Sequence, residues 1–135
     1  MAVTEVHFAA RHELVRGMVE LGLLEGEVEA LIEEEKFKRF YMHNTTHWLG
    51  LDVHDAGPYK ERDGEPVKLQ PGMVLTVEPG LYVPADAEDV PAELRGIGIR
   101  LEDDVLVTED GREVLTRGVP VDPDEIERIC AGGDS

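Results

Sequence analysis

Residues 71–83 read PGMVLTVEPGLYV and residues 95–108 read RGIGIRLEDDVLVT, and these two stretches decide the fold. Met73 to Glu78 is a run of strand formers, opened by the turn pair Pro71-Gly72 and closed by Pro79-Gly80. Leu81 to Val83 resumes the run. Ile97 to Leu101 and Val105 to Thr108 are two more strands, parted by the acidic break Glu102-Asp103-Asp104. Glu109-Asp110-Gly111-Arg112 reads as a hairpin turn. The polar stretch Pro84 to Leu94 reads as a loop.

Upstream the pattern is helical. Between Glu5 and Leu21, the residues Val6, Ala9, Ala10, Leu14, Met18 and Leu21 fall near one side of a helix, and Gly22 is its stop. A second helix is expected from Glu25 to about Glu35, with Val28, Leu31 and Ile32 inward. The short link makes the two an antiparallel pair. Downstream, Asp122-Pro123 opens a third helix with proline at its first position. Cys130 follows Ile126 and Ile129 there and is expected to be a packed thiol; residues 131–135 are expected to fray. The order gives an α+β fold, two antiparallel helices packed on a mainly antiparallel β-sheet, in one domain over residues 1–135. The first helix follows Met1 with no leading strand, so the chain reads as part of a larger domain.

Composition narrows the partners. The chain of 135 residues carries 30 acidic against 13 basic residues, a net charge of -17. Such a surface repels phosphate backbones, which argues against nucleic acid. No stretch approaches the roughly 18 apolar residues of a membrane helix. The N-terminus lacks the charged-then-apolar pattern of a secretion signal. A single cysteine allows no internal disulfide and fits a cytoplasmic protein.

The chemistry-bearing residues lie in three blocks. His43 and His47 stand four apart in MHNTTHWLGLDVHD (42–55), the spacing of a zinc helix, but no Glu follows the first His and Thr45-Thr46 are weak helix formers. In the same block Gly50 allows close backbone approach, and Asp52 and Asp55 can orient histidines, or simply furnish a charged surface turn with His54. Glu78 ends an apolar strand, where a carboxylate is costly unless paired or metal-bound. Arg100 and Glu102 share a strand face; on their own they read equally as an exposed ion pair.

Together the blocks MHNTTHWLGLDVHD, PGMVLTVEPGLY and RGIGIRLEDD resemble the C-terminal half of the pita-bread metallopeptidases, and within them the Xaa-Pro aminopeptidases (aminopeptidase P). The resemblance extends to the helix pair LVRGMVELGLLEGEVEALI (14–32). It implies a two-metal centre, commonly manganese, with His47, Glu78 and Glu102 as ligands and Glu102 bridging the ions. Two Asp ligands would come from an upstream half; residues 1–46 contain no Asp. It further implies that His43 and His54 line the substrate pocket and move protons, that Arg100 orients the carboxylates, and that Tyr82 joins that network. Glu78 would accept the proton of the attacking water. Asn44 stands where relatives usually have Gly. The implied substrates are proline-containing peptides, cleaved to release the residue before proline. Prolidase activity on Xaa-Pro dipeptides and a non-catalytic peptide- or protein-binding module are the alternatives. By itself the chain is expected to bind metal partially or not at all, to turn over little, and to associate through an exposed apolar edge that the other half would cover.

Overall fold

The computed structural model describes residues 1–132. Helix α1 spans Val3–Glu20, starting two residues earlier than its apolar pattern predicts. The Glu5 carboxylate accepts the Ala2 N–H and so closes the first turn. The chain leaves the helix at Gly22, whose φ of 70° is cheap only for glycine. Val15 and Met18 are fully buried, whereas Leu21 is half exposed.

The second helix is shorter than expected. Helix α2 covers only Val28–Glu33. Gly26 at φ 136° holds the preceding residues out of the helix, and Glu35 at φ 56° ends it in the left-handed region. A 3₁₀ turn, Lys36–Arg39, then drops Phe37 and Phe40 into the core with Val15, Met18, Leu31, Tyr41 and Val83. Val28 and Ile32 pack partly against that cluster.

Five strands follow: β1 (Val74–Val77), β2 (Gly80–Tyr82), β3 (Gly98–Arg100), β4 (Asp103–Thr108) and β5 (Gly111–Val114). They form two antiparallel sheets, β1-β4-β5 and β2-β3. Val77 pairs with Asp103, and Gly80 pairs with Arg100. The two ladders are therefore one ribbon in continuous register, interrupted at Pro79, which has no N–H to donate. Leu101 N–H reaches the Pro79 carbonyl at 3.2 Å across the gap. Residues 45–49 run along the free side of β1: Thr76 N–H donates to His47 O (3.0 Å) and Glu78 N–H to Thr45 O (2.7 Å). Trp48 packs there with Val3, Val67 and Leu75 in a second core.

Helix α3 spans Pro123–Cys130, with Asp122 capping the Glu125 N–H at 3.0 Å. It is not packed as expected. Ile126 and Ile129 stay substantially exposed, and Cys130 is an exposed free thiol. Its apolar stripe has too few neighbours to bury. Of the expected frayed tail, residues 133–135 lie outside the described residues. No helix among the described residues is long and apolar enough to cross a membrane.

Candidate metal centre

Glu78 directly follows β1, and Glu102 fills the gap between β3 and β4. The ribbon's register places them opposite each other at its break. His47 comes from the neighbouring segment, held by its N–H on the Thr76 hydroxyl (3.1 Å). One ligand atom from each of His47, Glu78 and Glu102 lies within 4.8 Å of the others. His47 is half-buried, Glu78 buried and Glu102 exposed, so the cluster opens to solvent on one side.

Proton positions follow from the acceptors. His47 Nδ1 meets the Trp48 carbonyl at 3.0 Å, and a carbonyl can only accept, so this nitrogen carries the proton. In neutral His47 the Nε2 lone pair then faces Glu78 Oε1 at 3.2 Å. Two acceptors facing each other, with a second carboxylate opposite, need a proton or a cation between them. One imidazole and two carboxylates are a donor set that suits a hard divalent ion, and a backbone carbonyl on the distal ring nitrogen is the usual support of a histidine ligand.

The surrounding polar groups form one chain. Arg100 Nε–H donates to the Tyr82 hydroxyl at 2.7 Å, and Arg100 Nη1 lies 3.4 Å from Glu78 Oε2. The bond to Tyr82, together with Glu78 and Glu102 nearby, raises the guanidinium's pKa above its ordinary value. Tyr82 in turn meets His43 Nε2 at 3.0 Å, while His43 Nδ1–H donates to Asn44 O at 2.7 Å. Glycines make room for the tyrosine. A Cβ on Gly80 would stand 2.4 Å from the Tyr82 hydroxyl, and one on Gly98 3.1 Å from its ring.

His54 packs edge-on against His47 with ring centroids 4.3 Å apart, and its own ring is exposed. The expected role of Asp55 as a histidine-orienting residue is not what its contacts show. Its two oxygens accept the Leu51 and Ala56 N–H groups at 3.1 and 2.8 Å, and so hold the 50–56 loop that carries His54. Gly50 does serve close approach, since a Cβ there would meet Asp55 Oδ2 at 1.8 Å. His43 and His47 do not share a helix; their segment is extended beside β1. Thr45 and Thr76, both buried, were not singled out by sequence. Thr76 donates its hydroxyl to Glu78 Oε1 at 3.2 Å, which strand alternation two residues before Glu78 could have signalled.

The sequence profile of metallopeptidase family M24 matches residues 1–109. A Xaa-Pro aminopeptidase of Escherichia coli K12 is 54% identical over 116 residues, which are 86% of this chain and 26% of that protein. Among solved structures, Pseudomonas aeruginosa aminopeptidase PepP superposes with a TM-score of 0.91 at 51% identity, covering 97% of this chain and 29% of that one. A zinc-substituted E. coli aminopeptidase P, solved with product, matches with a TM-score of 0.79 at 50% identity over 93% of this chain and 28% of its own. The chain thus spans under a third of the length of these relatives.

Proposed function

The chain belongs to metallopeptidase family M24, and from that premise we propose that it carries part of the active site of an aminopeptidase that releases the residue before proline. The observation supporting this reading is the convergence of His47, Glu78 and Glu102 within 4.8 Å. In this proposal those three side chains hold a pair of divalent ions, manganese in the working protein, with further carboxylates contributed from outside residues 1–135. Bound ions of this kind lower the pKa of water and polarise a carbonyl.

The chain's own residues supply the rest of the reaction. Glu78, held by Thr76, Arg100 and its backbone bond to Thr45, accepts the proton of the attacking water. Arg100 and Tyr82 fix His43 in the tautomer that presents Nε2 toward Tyr82. His43 and His54 line the peptide's path and move protons near the departing nitrogen. The substrates are proline-containing peptides. By itself the 135-residue chain binds metal weakly and turns over little peptide.

Trp48, the one tryptophan, adjoins His47 and reports on the site. Titration with Mn²⁺ is expected to quench its fluorescence saturably, with Glu102→Ala weakening the midpoint at least about tenfold. Quenching that is absent, or unchanged by Glu102→Ala, would overturn the reading. A parallel incubation with an Xaa-Pro-Xaa tripeptide and Mn²⁺, assayed for the released first residue, tests the expected low turnover.

A further inference from the structure

Arg11 lies on α1, one turn beyond His7. Its guanidinium carbon rests 5.0 Å from the centre of the Phe8 ring and 5.5 Å from that of Phe37. Its Nε is buried and has no hydrogen-bond partner among the described residues. Aromatic faces attract the cation but offer its N–H groups no acceptor in line, so an orphaned donor here is costly. The residue lines a cavity of about 320 Å³ with His7, Phe37, Lys38, Tyr41 and His43. Glu35, on the same rim, is taken by Lys38 at 2.7 Å.

His43 connects this cavity to the acidic cluster. Its ring forms part of the cavity wall. Its Nε2 meets Tyr82, which Arg100 holds, and Arg100 reaches Glu78. His43 thus borders both the Arg11 cavity and the polar chain that leads to the acidic cluster.

We propose that Arg11 is a carboxylate-binding residue that takes the free C-terminal carboxylate of a short peptide. The proposal rests on the reading of the acidic cluster as a peptide-cleaving centre. A guanidinium presents a planar fork of donors that a carboxylate matches with two parallel bonds, which is why the ligand class is a carboxylate. The Phe8 and Phe37 rings hold the fork in place, and the half-exposed Phe8 ring offers apolar surface to the last residue's side chain. The same chemistry would also admit a small free acid, so the test separates the two sources.

The ¹⁵N-labelled chain, kept metal-free, is titrated with Ala-Pro-Ala, with its C-terminal amide and with acetate, following the Arg11 Nε–H resonance. That resonance is assigned by its loss in Arg11→Met. The peptide acid is expected to move it saturably, with the amide and acetate each at least about tenfold weaker. Arg11→Met, followed through backbone amide shifts around His43, is expected to bind acid and amide alike. Equal binding of acid and amide by the unaltered chain, or a difference that survives Arg11→Met, overturns the proposal. Acetate binding as tightly as the peptide overturns the peptide as its source. Should Arg11→Met fail to fold, Arg11→Lys keeps the charge and loses the fork; its discrimination is expected to fall, and full retention refutes the paired geometry. These readouts need no metal, so they can fail while the Mn²⁺ titration of Trp48 succeeds, and the reverse.

Discussion

Replacing Glu102 with glutamine should stabilise the metal-free chain and weaken its response to metal. The cluster's ligand atoms, one carboxylate oxygen each from Glu78 and Glu102 among them, lie within 4.8 Å. Two unit charges at that distance repel by about 0.9 kcal/mol in a water-like medium and about 3.5 kcal/mol at an effective dielectric of about 20. Glu102 is exposed, Arg100 stands 3.4 Å from Glu78, and Glu102 also attracts Arg100, so the lower figure is an upper bound on the net relief. Relief of at most about 1 kcal/mol raises the melting temperature of a domain this size by at most about 3–5 °C. Metal reverses the order: at a hundredfold excess over Kd, the unaltered chain gains about 2.7 kcal/mol, and the glutamine variant, binding less tightly, gains less. Calorimetry in EDTA and in saturating Mn²⁺ reads both effects. A metal-free Glu102→Gln chain that melts lower, or equal Mn²⁺ shifts in the two proteins, would refute the idea that the two carboxylates are held together at a cost that a cation relieves.

Other outcomes follow from single contacts. Gly80→Ala places a Cβ 2.4 Å from the Tyr82 hydroxyl and is expected to cost about 1–3 kcal/mol in urea unfolding, with loss of the Arg100 Nε–H bond to Tyr82 by NMR. Asp89, gripped by Arg39 at 2.6 and 2.7 Å, has its carboxyl held down to about 2 from 3.8 by that bond. Its contribution is thus complete above pH 3.8 and lost as pH falls through about 2, and Asp89→Asn should flatten acid unfolding across that window. Burial, then Arg11 and His43, push His7 below its ordinary 6.5, so its share of stability is present above pH 6.5 and declines as pH falls through its lowered value. A His7 ring titration by NMR with a midpoint at or above 6.5 would contradict this. Ile97, Ile99 and Leu101 are 43%, 59% and 51% exposed along one edge, and concentration-dependent association is expected; strict monomer behaviour in sedimentation would count against it.

The strands were legible because their punctuation is chemical. Pro71-Gly72 and Pro79-Gly80 bracket β1, and the Glu109-Asp110 turn joins β4 to β5 as the alternation requires. The site residues were legible singly, as a carboxylate ending an apolar run and an Arg–Glu pair on one strand face. Their meeting was legible only through the family resemblance, because nothing local says that a strand near residue 78 pairs with one near residue 102; the loop between β2 and β3 hides that register. Helix α2 was overread because its apolar spacing continues past both Gly26 and Glu35, where backbone torsion decides. Cys130 was misplaced because an amphipathic stripe predicts a face without supplying a surface to bury it.

The broken ribbon also governs which changes of chain length the molecule tolerates. Glu78 and Glu102 face each other by register counted outward from the interruption at Pro79, and no tight turn sets that count. The exposed residues 84–86 can therefore gain a residue without moving either carboxylate, whereas Val83, Ala87 and Val90 are held in the core. One residue inserted between Val77 and Gly80, or between Arg100 and Asp103, would turn a carboxylate to the opposite face of the sheet. Insertions a few positions apart would thus have opposite fates, harmless in the loop and disabling beside the break.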